Sequence, residues 1–256
     1  MFGLFRSKSA REVLIGTPNL GEDRRVYAIG DIHGRLDLLM ELMDRIGDDD
    51  SARDPIGSTE LIMLGDYIDR GPDSAGVIDY VMRLRDRWPA LTCLQGNHEE
   101  VFIQAARGDE SALRFMTRIG GRETLLSYGA REEDLDQMTL GQLRDWLMNT
   151  VPEAHLEFLE GMADRVVIGD YAFVHAGLRP QIPLAEQEAK DLRWIREEFL
   201  SFERPHDYYV VHGHSITSGV EQKANRVGID TGAYATGVLT AIGLEGTEQW
   251  FLSTGD

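Results

Sequence analysis

The chain has a single cysteine, Cys93, in 256 residues, so no intramolecular disulfide can form and nothing points to an oxidising compartment. Its longest apolar runs last about four residues, against the roughly twenty needed to cross a bilayer. The opening residues 1–6 hold neither a long apolar segment nor a small-residue cleavage pattern, so a cytoplasmic location is expected. Positive charge is scarce: 26 Lys+Arg against 44 Asp+Glu leave a net charge of −18. A surface this acidic argues against non-specific nucleic-acid binding and against docking on an anionic membrane, so neither partner is expected. The patterns GxGxxG, GxxxxGKS/T and HExxH are absent as well, which removes three common catalytic designs.

What is present is an ordinary globular composition, 42% hydrophobic and 27% charged, with enough length for a core that needs no staple. Residues 1–24 mix glycine, proline and charge and read as a loosely docked leader; 25–256 read as one domain. The apolar runs Val26–Ile29, Leu61–Leu64 and Leu91–Leu94 predict short strands buried on both faces. Between them, 3–4 spacing predicts helices over Leu36–Ile46 and about Ser74–Arg87, with a polar loop at 48–55, giving βαβαβ. The stretch from about 99 to 161 shows several short helical patterns and no strand, as a helical insertion would. Strands return at 165–168, 171–175, 208–212, 226–230, 238–242 and about 248–252, with a helix at Lys190–Leu200. Their close spacing predicts a second, mostly antiparallel sheet, so the class is α/β (α+β) with two packed mixed sheets flanked by helices.

Several of these strands end in a Gly or His that opens a polar loop. They are Gly30-Asp31-Ile32-His33-Gly34, Gly65-Asp66-Tyr67-Ile68-Asp69-Arg70-Gly71, Gln95-Gly96-Asn97-His98-Glu99, His175-Ala176-Gly177 and His212-Gly213-His214. Strand carboxyl ends line one crevice in open α/β sheets, so five such ends would bring Asp, His and Asn together. Carboxylate, imidazole and amide oxygen without thiolate suit Mn²⁺, Fe or Zn²⁺. A lone Asp or His after a strand is usually a turn or core residue; five loops of this kind in one chain make coincidence a poor explanation.

The blocks Gly30-Asp-x-His-Gly34, Gly65-Asp-x-x-Asp-Arg-Gly71 and Gly96-Asn-His-Glu99 resemble the signature blocks of the metal-dependent phosphoprotein phosphatases within the calcineurin-like metallophosphoesterases. His175 and His214 look like that family's two later histidines, and the resemblance covers about residues 25–242. His175-Ala-Gly-Leu-Arg-Pro180 resembles the bacterial members. Ile216 stands where related phosphodiesterases carry a second His, which favours the phosphatase branch.

The resemblance implies two divalent ions, Mn²⁺ foremost, with Asp31 and His33 on the first, Asp66 bridging, and Asn97, His175 and His214 on the second. A hydroxide bridging the ions would attack phosphorus directly. It also implies that Arg70 and Arg196, with Asn97, hold the phosphate; Arg179 and Arg193 compete with Arg196 for that assignment. His98 would protonate the leaving oxygen, oriented by Asp69. The expected substrate is a phosphoserine or phosphothreonine protein or peptide. The alternative is a symmetrical diadenosine tetraphosphate, with Tyr67 and Tyr234 as candidate base contacts. Cys93 is expected in the core, and His155 and His206 as surface or structural residues.

Overall fold

The structure, a computed structural model, describes residues 16–255. In chain order it holds β1 (Arg24–Ile29), α1 (Leu36–Ala52), β2 (Ser58–Met63), α2 (Ser74–Arg87) and β3 (Leu91–Cys93). Six helices follow without a strand: α3 (Asn97–Ala106), α4 (Glu110–Ile119), α5 (Gly121–Ser127), α6 (Glu132–Leu135), α7 (Leu140–Thr150) and α8 (Glu153–Glu160). The second half comprises β4 (Arg165–Ile168), β5 (Tyr171–Val174), α9 (Ala189–Trp194), α10 (Glu197–Leu200), β6 (Tyr209–His212), β7 (Glu221–Gln222), β8 (Arg226–Gly228), α11 (Ala233–Thr236), β9 (Thr240–Glu245) and β10 (Glu248–Ser253).

Two five-stranded sheets form, in the orders β10-β9-β1-β2-β3 and β4-β5-β6-β8-β7. Strands β1, β2 and β3 run parallel, and β9 and β10 close that sheet antiparallel at its other edge. The period-2 alternation of each strand sorts its side chains into layers. Tyr27, Ile29, Leu61 and Met63 face the helices of α1, α2 and the helical segment, whereas Val26, Ala28, Ile62 and Leu64 face the second sheet. Tyr171, Phe173 and Val211 meet them from that side, and Ala172, Val174 and Val210 turn outward onto Leu192, Ile195 and Phe199. Both sheets are thus covered on both faces, which is why their strands read as unbroken apolar runs.

Four expectations change. The acidic residues 48–50 belong to α1 and not to a loop, because each neighbouring element supplies a partner. Tyr27 and Trp250 donate to Asp49 at 2.5 and 2.9 Å, and Arg25 donates to Asp50 at 2.7 Å. The helix expected over 190–200 breaks at Ile195. The Leu192 carbonyl accepts the N–H of Ala176 at 2.8 Å, so the helical bond from Arg196 is not made and the chain turns extended (Ile195 ψ 141°). The second sheet, mixed as expected, is not mostly antiparallel, since β5, β6 and β8 are parallel and only its edges are antiparallel, while the last two strands join the first sheet. Of the leader expected over 1–24, residues 1–15 lie outside those described, and the rest is docked. Leu20 is buried and donates its N–H to Gly246, and the Asn19 carbonyl accepts from Asp170, so the segment ties the two sheets together.

Candidate metal centre

The loops after β1, β2, β3, β5 and β6 converge at one end of the stacked sheets. Their backbone is strained there: His33, Asp66, Asp69, Arg70 and His214 all have φ between 47° and 71°, a region costly for residues with a side chain. Two glycines are required by close approach. A Cβ at Gly96 would strike the Asp66 carboxylate, and one at Gly213 would strike Asp31 Oδ1.

The loops place two clusters side by side, His33–Asp66–His98 and Asp66–His175–His214, with the ligand-capable atoms of each within 4.8 Å of one another. Asp66 is common to both. The imidazoles are oriented by backbone carbonyls. His33 Nδ1 donates to Ile68 O at 2.7 Å and His175 Nδ1 donates to Leu64 O at 3.0 Å, so each neutral ring turns its Nε2 lone pair inward. His175 Nε2 there faces Asn97 Oδ1 at 3.0 Å, His214 Nδ1 at 3.2 Å and Asp66 Oδ1 at 3.4 Å. These atoms converge closely enough to share a cation. Burial keeps the rings neutral, lowering His33 to about 3 and displacing His175 and His214 downward too.

The carboxylates carry the same message. Asp31 accepts the His214 N–H through both oxygens at 3.0–3.1 Å, and burial followed by the nearby Asp230 and Asp66 drives its pKa well up. Asp230, raised to about 6 mainly by burial, leaves one buried oxygen unpartnered, and His214 Nε2 and Ser215 Oγ are buried without a partner beside it. A neutral or positive fill is what this donor set lacks, and divalent cations fit it. Asp31 belongs to neither of the two tight clusters, and both its oxygens accept the His214 backbone N–H.

Around the clusters the other expected residues take distinct places. Arg70 spans them, with Nη1 3.0 Å from His33 Nε2 and Nη2 2.9 Å from His98 Nε2. His98 Nδ1 donates to Asp69 Oδ2 at 2.6 Å. Burial alone would lower the His98 pKa; Asp66 and Asp69 outweigh it and raise it. Arg196 lines the open cleft above the clusters together with His214 and Tyr234. Its two rivals are engaged elsewhere, Arg179 with Asp191 and Glu198, and Arg193 with Asp164 and Glu100. Tyr67 is wholly buried, its hydroxyl donating to Leu94 O, and cannot touch a ligand. Tyr234 is half-buried at the cleft, its ring edge-on to His33 and 5.0 Å beneath the Arg70 guanidinium. Cys93 is buried, as are His155, held by Tyr128 and Asp79, and His206.

Two supporting residues were not assigned a role from sequence. Glu99 accepts the N–H groups of Gly96, Asp66 and Tyr67 at 2.8–2.9 Å and holds the Asp66 loop from behind. Thr124, from α5, donates to Asp69 Oδ1 at 2.6 Å. Glu99 stood inside the third block and could have been found there; Thr124 lies in no motif.

Two stacked mixed sheets carry paired carboxylate–imidazole clusters at their strand ends, and the calcineurin-like phosphoesterase family model matches residues 24–238. The chain belongs to that family. It is 33% identical over 155 residues to a symmetrical bis(5'-nucleosyl)-tetraphosphatase of Dechloromonas aromatica (strain RCB), covering 60% of this chain and 44% of that protein. It is also 36% identical over 93 residues to serine/threonine-protein phosphatase 1 of Salmonella typhimurium (strain LT2), covering 36% of this chain and 38% of the relative. The matches span less than half the length of these relatives. A crystal structure of a putative diadenosine tetraphosphatase shares the fold, with a TM-score of 0.61 at 21% identity over 90% of this chain and 93% of that one. Among the described residues no helix is long and apolar enough to cross a membrane.

Proposed function

We propose that this protein hydrolyses dinucleoside polyphosphates, cleaving a phosphoanhydride bond at a pair of divalent ions. The observation that carries the reading is Tyr234, a half-buried aromatic ring beside Arg70 at the wall of the cleft, with the exposed Ile216 in the same wall. A flat apolar surface next to a phosphate-binding arginine suits a nucleobase or ribose and is not needed by a phosphorylated side chain. The tetraphosphatase relatives, which align over 60% of the chain, support the same choice.

Asp31, His33 and Asp66 would hold one ion and Asp66, Asn97, His175 and His214 the other; carboxylate, imidazole and amide donors without thiolate suit Mn²⁺. Bound there, the pair would supply an activated water and offset the charge of the phosphate. Arg70 and Arg196 would fork onto the equatorial oxygens of the group being cleaved. His98, its Nδ1 committed to Asp69, would carry a proton on Nε2 toward the departing oxygen once Arg70, whose Nη2 lies 2.9 Å from that nitrogen here, turns onto the phosphate. Asp69 fixes that ring, and Thr124 fixes Asp69.

Hydrolysis of phosphoserine or phosphothreonine in proteins is the second reading. It is favoured by the His98–Asp69 pair, because an alkoxide needs a proton to leave more than a nucleotide does, and by the match to the Salmonella phosphatase. The two are separated by measuring kcat/KM of the Mn²⁺-loaded protein on diadenosine tetraphosphate and on a phosphoserine peptide. A value about tenfold or more higher for the dinucleotide is expected; the reverse order would install the protein-phosphatase reading.

A further inference from the structure

The cleft above the two clusters encloses about 530 Å³ between Arg70, Arg118, Arg196, His214, Ile216 and Tyr234. Two arginines serve one phosphate fully, since each guanidinium can donate to two oxygens. Arg118 is a third cation in the same space, and no Asp or Glu lines it. Arg107, Arg122, Arg131 and Arg144 of the helical segment are ion-paired; Arg114 and Arg118 have no carboxylate partner among the described residues, and of these two only Arg118 lines the cleft. Arg70 lies over the buried Asp31 and Asp230, whereas Arg118 meets no carboxylate in the cleft wall and is open to an anion.

Arg118 is also held in place relative to the reacting group. It sits in the last turn of α4, and the next two carbonyls fasten that turn to the phosphate-binding loop. Ile119 O accepts from Arg70 Nε at 3.3 Å and Gly120 O accepts the Arg70 N–H at 2.8 Å. The backbone that carries Arg118 is therefore fixed relative to Arg70, and its exposed side chain reaches the cleft from there.

We propose that Arg118 is a specificity-determining residue that binds the phosphate adjoining the one cleaved, and so favours substrates with a phosphate chain over simple monoesters. The assignment rests on the phosphohydrolase reading above and states which part of the substrate that cleft selects.

The test uses the full Mn²⁺-loaded protein and Arg118→Ala, with Arg118→Lys as the conservative control. For Arg118→Ala the KM for diadenosine tetraphosphate should rise about tenfold, the loss of one charge-assisted hydrogen bond. For p-nitrophenyl phosphate, which has a single phosphate, kcat/KM should stay within about twofold. Inhibition of that monoester reaction by ADP should weaken about tenfold while inhibition by AMP is unchanged, and Arg118→Lys should recover part of the ADP effect. Should the wild type fail to cleave the dinucleotide while Arg118→Ala still weakens ADP and not AMP, the substrate reading falls and the role of Arg118 stands. Equal changes for ADP and AMP, or none for either, overturn the role of Arg118 whatever the dinucleotide does.

Discussion

Glu99 and Asp66 are joined by a bond that runs from side chain to backbone: the Glu99 carboxylate accepts the Asp66 N–H at 2.9 Å from inside the protein. Asp66 sits at φ 51° and is shared by both clusters, so its conformation has to be imposed from outside. Glu99 does this with three strong acceptor bonds, to Asp66, Tyr67 and Gly96. Glu99→Gln turns an NH₂ group toward one of these N–H donors. It should lower stability by about 1–3 kcal/mol and metal affinity by roughly 10–100-fold. Thermal unfolding and a titration with Mn²⁺ would read the two effects; unchanged affinity would show that the Asp66 loop holds its shape unaided.

The proton-donating role of His98 predicts a dependence on the leaving group. His98→Asn should slow hydrolysis of an alkyl phosphate by about 10²–10⁴-fold and that of p-nitrophenyl phosphate much less, because nitrophenolate leaves without a proton. Equal losses on both would remove His98 from that role.

Thr124→Val deletes the hydroxyl that donates to Asp69 Oδ1 without altering the volume much. Asp69 then keeps only His98 as a side-chain donor, and kcat should fall about tenfold with KM little changed. A change confined to KM would mean that Thr124 shapes the substrate site and not the proton donor.

Removal of divalent ions with EDTA should abolish hydrolysis and also lower the melting temperature, since the buried Asp31, Asp66 and Asp230 lose their counter-charge. Adding Mn²⁺ back should restore both. A melting temperature indifferent to chelator would argue that the clusters are stable without cations.

Acid stability can be assigned to a residue away from the centre. His206 is buried against Phe199 and Phe202, with its Nε2 unpartnered, and burial lowers its pKa to about 4. The unfolded chain therefore takes up a proton near pH 6.5 that the folded protein refuses until about 4. Stability from this source is complete above pH 6.5 and falls as pH drops through that window, by up to roughly 3 kcal/mol. His206→Phe should flatten the decline between those pH values in denaturant titrations; an identical slope in the variant would rule His206 out as its origin.

The parallel β1–β3 strands and the helices α1 and α2 were legible because their apolar residues repeat at the period of the element and because both sheet faces are covered. The polar loops that follow the strands were legible because Gly, Asp and His there satisfy no packing role. Where local pattern misled, a distant partner had intervened. Asp49 and Asp50 stay helical because Tyr27, Trp250 and Arg25 reach them, and the helix at 189–200 breaks because Ala176 takes the Leu192 carbonyl. The parallel pairing of β5 with β6 and β8 likewise depends on which strand lies alongside, a matter that spacing along the chain does not record.

By itself, then, the sequence determined the kinds of donor atom and the turns that carry them, since residue type and strand-end position are local properties. Only the tertiary structure decided that Arg196 faces the cleft while Arg179 and Arg193 are tied down, and that Tyr67 is core while Tyr234 is wall. It alone brought Thr124 and Arg118 to the site. The physical reason is that convergence, burial and ion pairing are relations between residues a dozen to more than a hundred positions apart, and nothing in the local chain encodes which of several candidates will be the one left facing the open space.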